Sequence, residues 1–466
     1  MASCGITVVI SSLIMMGRPE STALYGSAGL QAWWTRHMTG ADAQACVHAV
    51  ADDLTLRFPL ARTIAVLTGP APSLSADLWK VALRERGRTA LVVGVRDLAG
   101  AMETADVIVD AWCAGGGTGC VDEPVEGLAR AVVPVAALGV PSCIDPDRGA
   151  VTPVAYRAAA TYLEPVTALG LWTGAARDHC GRLQRIGAAR DIDLPPRARI
   201  PASGDLGSRL PRRPEHAHKG TAGTVIIVGG DEGMPGAVRL AAAAAYRTGA
   251  GLVGAIVHPR NASNLAAAYP ELIALTPAQA APMWERATVA IIGSGLGRGA
   301  FAHEQWVDLD RHRIPAVIDG DGLYWLAQER RVTARIVTPH EGEAARLLGC
   351  TVREIGADRF GAARAIARAY GAICVLKGAG TLIDDGTQTW VCPFGNSAMA
   401  TAGMGDVLAG IIGSLLAQGA DEWSAAVLGV FIHARAGDAS RARIGARGVV
   451  AQDVIEEIPA CLSAYL

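Results

Sequence analysis

Aromatic side chains make up only 5% of this 466-residue chain, and neither sign of charge is in excess. Its 42 Lys and Arg against 44 Asp and Glu leave a formal net charge of −2. That balance excludes a broad basic face for nucleic acid or an anionic membrane surface. Long apolar runs are missing too. The run Cys4 to Met16 is too short for a membrane span of roughly 20 residues, and no Lys or Arg precedes it as in a signal peptide. Residues 1–19 are therefore read as an N-terminal extension, expected to be disordered, on a soluble cytoplasmic protein. The ten cysteines have no metal-binding rhythm, and the nearest pair, Cys113 and Cys120, is too isolated for a zinc site. Reduced, buried thiols are expected. With 51% apolar and 18% charged residues, long disorder is excluded and the length suits two or more domains.

What the chain has is alanine and glycine in quantity, and short apolar runs separated by helical patterns. That alternation implies mainly parallel α/β sheets. In residues 20–195 the pattern predicts a helix from Gly40 to Phe58, a strand from Thr63 to Leu67 and a helix from Ala76 to Arg86. Further strands are expected at Ala90 to Val95, Val107 to Val109 and Val132 to Ala137. A proline-rich, arginine-bearing stretch over residues 196–218 reads as a linker, because proline removes backbone donors and stops helices. A second α/β unit fills residues 219–466. Its strands are expected at Thr224 to Val228, Leu252 to Val257, Val289 to Ile292, Ala316 to Ile318, Ile336 to Thr338 and Ile373 to Leu376.

Four segments of this second unit carry candidate chemistry. Gly403-Met404-Gly405 opens into the apolar helix Val407 to Leu416, with Asp406 in its first turn. A helix N-terminus offers unpaired N–H groups and partial positive charge, and glycine lets a phosphate approach the backbone. Asp406 can there take a proton from a hydroxyl while the amides hold a phosphoryl group; the plainer reading is a first-turn helix stabiliser. Lys377-Gly378-Ala379-Gly380-Thr381 follows a strand, and its amides, ammonium and hydroxyl can cradle a nucleotide phosphate. A hairpin turn with an exposed lysine is the alternative. Thr338-Pro339-His340-Glu341-Gly342-Glu343 sets His340 at a strand end, with Thr338 and Glu341 as possible helix caps. Gly293-Ser294-Gly295-Leu296-Gly297 lets a ligand pass close to the backbone but departs from the dinucleotide fingerprint. Asp319 and Asp321 stand at another strand end, where capping of the next helix is slightly favoured over binding a substrate hydroxyl or metal.

Taken in order, these motifs resemble those of the ADP-dependent NAD(P)H-hydrate dehydratases of the ribokinase-like superfamily, over about Arg209 to Leu466. The resemblance also covers His218-Lys219-Gly220 and Gly236-Ala237. It implies a three-layer ribokinase-like domain with a mainly parallel sheet. It implies an enzyme, a carbon–oxygen lyase, that uses ADP or ATP with Mg²⁺ to return the S form of hydrated NADH or NADPH (NADHX, NADPHX) to the reduced cofactor, releasing AMP and phosphate. Carried over by motif, Asp406 is the catalytic base. Lys377, Gly378, Ala379, Gly380, Thr381 and Gly405 bind the nucleotide, and Ala237, Gly297, His340 and Asp406 bind the hydrate. No metal ligand is fixed. A homo-oligomer is expected, with no nucleic-acid or membrane partner. The alternative is a ribokinase-like kinase acting on a vitamin-precursor alcohol; a non-catalytic nucleotide sensor is disfavoured by the intact Asp406.

Residues 20–195 resemble a Rossmann-like NAD(P)H-hydrate epimerase domain in layout, through Arg57-Phe58-Pro59, Gly69-Pro70, Asp106 to Ala111 and Gly139 to Asp145. Two motifs depart from that family. Its glycine-asparagine loop, of the type GPGNNGGDG, is here Gly69-Pro70-Ala71-Pro72-Ser73-Leu74-Ser75-Ala76-Asp77. Its VDIPSG motif is read at Ile144-Asp145-Pro146-Asp147-Arg148-Gly149, with the serine missing. Loss of epimerase activity is the expectation, with K⁺ a ligand only where that site is retained.

Overall fold

The computed structural model describes residues 21–465 except 39, 70–73, 115–121, 187–191 and 331–333. The expected N-terminal extension and the core of the departed glycine-asparagine loop lie outside the described residues. The chain divides into two compact units, Thr22–Ile200 and one built from Pro201–Ile355 and Arg359–Leu466.

The first unit begins with β1 (Thr22–Tyr25) and α1 (Ser27–His37), then α2 (Gly40–Arg57), β2 (Thr63–Thr68), α3 (Ala76–Arg84), β3 (Thr89–Val93), β4 (Val107–Ala111), β5 (Val135–Leu138), β6 (Ala160–Leu163), β7 (Thr167–Ala168), β8 (Arg182–Arg185) and β9 (Ala198–Ile200). A six-stranded sheet runs β3-β2-β4-β5-β6-β8, parallel at every pairing. Parallel strands packed on both faces become continuous apolar runs, as in the buried centre of β2. The β1 strand pairs with β7 in parallel and with β9 in antiparallel fashion. The expected strand at Val132 to Ala137 starts three residues later, because Val132 is exposed. Strands β1, β6, β7, β8 and β9 escaped the sequence reading. The stretch read as a bare linker carries all of β9 and a short helical segment, Ser203–Gly207.

The second unit holds β10 (Thr224–Val228), α4 (Pro235–Thr248), β11 (Leu252–Ile256), β12 (Ile273–Leu275), β13 (Val289–Ile292), β14 (Ala316–Ile318), α5 (Asp321–Gln328), β15 (Ala334–Val337), α6 (Glu341–Leu348), α7 (Arg359–Tyr370), β16 (Ile373–Leu376), β17 (Thr381–Asp384), β18 (Thr389–Cys392), α8 (Met404–Ala417), α9 (Glu422–Ile444) and α10 (Ala451–Ser463). Its strands run β12-β11-β10-β13-β14-β15-β16-β17-β18. Pairing is parallel from β12 to β16 and antiparallel from β16 to β18. After β12 the chain returns across the sheet to lay β13 against β10. Strand order therefore reverses there, and open α/β folds bind ligands at the carboxyl ends of strands around such a point.

Alternate residues of the central strands point to opposite faces. Val225, Ile227, Val289 and Ile291 share one apolar core with α4, α8, α9 and α10. Ile226, Val228, Ala290 and Ile292 are equally buried and face the other side. Small residues let α4 and α8 lie close. A Cβ on Gly410 would stand 2.3 Å from the Ala241 carbonyl oxygen and 2.9 Å from Ala244 Cβ. The alanine-rich run Ala241 to Ala245 and Gly410 thus set the depth at which the N-terminus of α8 meets the sheet. Gly410→Ala is expected to destabilise the fold by about 1–3 kcal/mol through overpacking, lowering the thermal unfolding midpoint by several degrees.

Candidate active site

Four strand ends and the N-terminus of α8 build a cavity of ≈ 390 Å³. β13 supplies Gly293 and Gly295, β14 supplies Asp319 to Asp321, β15 leads to His340, β16 ends at Lys377, and α8 contributes Gly405 and Asp406. Backbone crowding dictates glycine at two of these positions. Gly293 has φ +127° and any Cβ there would lie 1.7 Å from the Asp319 carbonyl oxygen. Gly403, the residue before α8, has φ +90°. Its left-handed geometry turns the chain so that the first amides of α8 open toward the cavity.

Asp319 and Lys377 are the hub. The Lys377 ammonium lies 2.6 Å from Asp319 Oδ1 and 3.5 Å from Glu343 Oε2. Thr338 donates its hydroxyl to the same Asp319 Oδ1 at 2.6 Å. The facing carboxylates of Asp319 and Glu343 raise the Lys377 pKa against the opposing effect of its burial, so the ammonium stays charged. Asp406 sits nearby in the first turn of α8. Burial, and then the Asp319 carboxylate, push its pKa to about 7, while the Ser294 hydroxyl and Lys377 hold it down. Burial likewise raises Glu343, against the pull of Lys377. Below this layer, burial and Lys377 lower the His433 pKa to about 4, leaving a neutral imidazole.

The TPHEGE segment forms a capping box at the start of α6. Nδ1 of His340 accepts the Gly342 N–H at 2.9 Å, and Glu343 Oε2 accepts the His340 N–H at 2.7 Å. The expected caps are corrected here: Thr338 serves Asp319, and Glu341 pairs with Arg359. Arg359 is 1% exposed and also donates to the carbonyls of Leu376 at 3.3 Å and Lys377 at 3.0 Å. One buried guanidinium therefore ties the TPHEGE segment to the turn that follows β16. The capping reading of the two aspartates is corrected as well. The residue before α5 is Gly320, with no side-chain cap. Asp321 instead accepts the Gly297 N–H at 3.0 Å and pairs with Arg298 at 3.2 Å.

Of the residues singled out in the sequence, His340, Lys377, Gly405 and Asp406 line the cavity together. Gly297 and Ala237 flank it: Gly297 adjoins the lining residue Arg298, and a Cβ on Gly295 would stand 3.1 Å from that of Ala237. Gly378 to Thr381 continue from Lys377 without lining it, with Gly378 and Gly380 at φ +136° and +63°. The Thr381 hydroxyl closes the turn onto the Gly378 carbonyl at 3.0 Å. Sequence reasoning missed Glu343, Arg298, Arg346 and Arg359. The signal for Glu343 was its place three residues after His340, where a capping box puts its acid. Among the described residues no group of three His, Cys, Asp or Glu side chains is placed to hold a metal ion.

The first unit has its own strand-end cluster. Asp110, at the end of β4, is fully buried and accepts from Trp112 N at 3.0 Å, Ser142 N at 2.8 Å and the Tyr156 hydroxyl. The register read for the VDIPSG motif needs correction. The segment leaving β5 is Leu138-Gly139-Val140-Pro141-Ser142-Cys143, which keeps the Pro-Ser pair and sets glycine where the pattern has aspartate. A Cβ on Gly139 would lie 2.9 Å from Glu164 Oε1. Asp145, read earlier as the surviving acid, instead closes a local turn by accepting Asp147 N at 2.8 Å and Arg148 N at 3.0 Å.

With this geometry in place, the comparisons with known proteins are informative. The NAD(P)H-hydrate dehydratase family profile matches residues 225–460. A bifunctional NAD(P)H-hydrate repair enzyme of Coxiella burnetii is 40% identical over 366 residues, covering 76% of this chain and 75% of that protein. An ADP-dependent (S)-NAD(P)H-hydrate dehydratase of Neisseria meningitidis is 42% identical over 253 residues, covering 52% of this chain and 86% of that protein. The crystal structure of the ADP/ATP-dependent NAD(P)H-hydrate dehydratase of Bacillus subtilis, grown with ATP and Mg²⁺, aligns with TM-score 0.52 at 25% identity, over 59% of this chain and all of that one. A ribokinase-like protein of Enterococcus faecalis aligns with TM-score 0.54 at 26% identity, over 59% of this chain and 99% of its own. The chain belongs to the NAD(P)H-hydrate repair enzyme family, its second unit being of the ribokinase-like dehydratase type.

Proposed function

We propose that the second unit dehydrates the S form of hydrated NADH or NADPH, using ADP (or ATP) with Mg²⁺ and releasing AMP (or ADP, when ATP is the donor) and phosphate. The observation that carries this reading is the joint placement of Asp406, Lys377 and Gly405 on one cavity. Hydroxide is a poor leaving group, so the hydroxyl must first be phosphorylated; phosphate then departs. Asp406 takes the hydroxyl proton. A carboxyl titrating near neutrality is a far better base than an ordinary aspartate. Gly405, Lys377 and the Gly378 to Thr381 turn hold the nucleotide phosphates, where fixed amides and an ammonium offset the charge that develops on transfer. Ala237, Gly297 and His340 border the hydrate. Nδ1 of His340 is occupied as an acceptor of the Gly342 N–H, and its Nε2 lies 3.5 Å from Glu343 Oε1. The TPHEGE and KGAGT segments, together with the relatives' names, favour this lyase over a small-molecule kinase.

The first unit supports no isomerase chemistry in our reading. Asp110 is engaged by three donors of its own unit, and glycine replaces the aspartate at the end of β5. We assign it the role of an inactive epimerase-like domain that persists for packing or assembly in a homo-oligomer. A reducing, cytoplasmic setting belongs to the same reading. None of the described helices is long and apolar enough to cross a membrane.

Incubation with ADP and hydrated NADH should restore absorbance at the reduced-nicotinamide wavelength; phosphorylated product without that recovery would point to the kinase. Protonated Asp406 cannot act as base, so kcat/KM should fall as pH drops, with an inflection at about 7 rather than in the usual carboxylate range. Asp406→Asn should lose activity by about 10²–10⁴-fold while its unfolding transition is retained. The purified protein should interconvert the R and S hydrates no faster than buffer does; rapid epimerisation would refute the reading of the first unit.

A further inference from the structure

We propose that Asp319 is a positioning residue for the phosphoryl transfer: its carboxylate fixes the Lys377 ammonium against the Gly403–Gly405 turn before nucleotide arrives. The proposal rests on the reading of Lys377 as a phosphate ligand and adds what makes that ligand effective.

Asp319 is 3% exposed and its two oxygens have different surroundings. Oδ1 takes the Thr338 hydroxyl and the Lys377 ammonium, both at 2.6 Å. Oδ2 faces the helix entrance: a Cβ on Gly405 would stand 3.0 Å from it and 3.3 Å from Lys377 Nζ. The ion pair therefore abuts the turn, and Thr338 keeps the carboxylate from rotating away. A free lysine carries rotamer entropy that phosphate binding would otherwise have to overcome. The ammonium has three protons. Asp319 takes one, and Glu343, at 3.5 Å, is too distant for a strong second bond, which leaves the ammonium capacity for phosphate. No capping role competes for Asp319, because α5 starts at Gly320 without a side-chain cap.

The same carboxylate sets the charge seen by Asp406. The ionisable groups around Asp406 are Asp319, Lys377 and Asp321, with Glu343, Arg298, Arg346 and His340 also on the cavity wall and neutral His433 on α9. Of the carboxylates, Asp319 raises the Asp406 pKa more than Asp321 does.

Asp319→Asn keeps the shape and the hydrogen bond to Thr338 but removes the charge. It should raise the KM for ADP on the order of tenfold. It should also move the acid limb of kcat/KM to lower pH by about one unit, since loss of a neighbouring negative charge lets Asp406 ionise more easily. A purely structural role would not move that limb. Thr338→Val, which frees the carboxylate but keeps its charge, should raise the ADP KM with the limb in place. Lys377→Met tests the underlying reading. If it raises the ADP KM while Asp319→Asn matches the parent in both KM and pH profile, the positioning role is overturned and the nucleotide site stands. If Lys377→Met leaves the KM unchanged, the nucleotide-site reading fails and takes the proposal with it. Should Asp319→Asn not fold, Thr338→Val decides alone: a raised ADP KM supports the role and an unchanged one overturns it.

Discussion

One ammonium set among carboxylates is the interaction on which the second unit turns. Lys377 sits between Asp319 and Glu343, beside the N-terminus of α8, in a cavity also lined by glycines, Asp321, Asp406, His340, Arg298 and Arg346. Its charge offsets the mutual repulsion of Asp319, Glu343 and Asp406. The cation keeps its charge because they surround it. The glycines follow from the same crowding. Gly293 makes room for the backbone of Asp319, and Gly405 makes room for the pair itself. Buried Arg359 extends the arrangement backward by binding the strand end that carries Lys377 to the segment that carries Glu343.

This arrangement explains why a fold shared with kinases can serve a dehydration. Transfer of a phosphoryl group to a hydroxyl needs a base, a phosphate cradle and a position for the hydroxyl. All three follow from where the strands end. The reversal of strand order between β10 and β13 opens the crevice, and the close packing of α8 on α4 sets how deeply the amides of α8 reach into it. Departure of phosphate then belongs to the chemistry of the substrate. In the mechanism proposed, the protein's part is to take a proton on Asp406 and to hold negative charge against Lys377 and Gly405.

Much of this was legible in the sequence. The continuous apolar strands Thr224–Val228, Val289–Ile292 and Ile373–Leu376 fall where the runs predicted, because buried parallel strands have little polar residue to blur them. His340, Lys377, Gly405 and Asp406 were found through glycine turns and motif order. Their pairings were not. Asp319 and Lys377 lie 58 positions apart and meet only through strand pairing, which no local pattern encodes. Arg359 looked like one more arginine on an amphipathic helix. In the first unit, Val132 extended the apolar run of β5 although its side chain is exposed, and short β7 and β8 have too few residues to carry a period. The motif after β5 was read late by several residues, because Asp145 drew attention from Gly139, where a residue had been lost. A missing side chain leaves little trace in a single sequence; the strand end shows where to look.

The most direct test is the structure of the protein with ADP bound. The account places the β-phosphate against the Gly405 amide and within hydrogen-bond distance of Lys377 Nζ, with Asp406 facing the open side of the cavity. A diphosphate bound away from the N-terminus of α8, or with Lys377 turned from it, would contradict the account at its base.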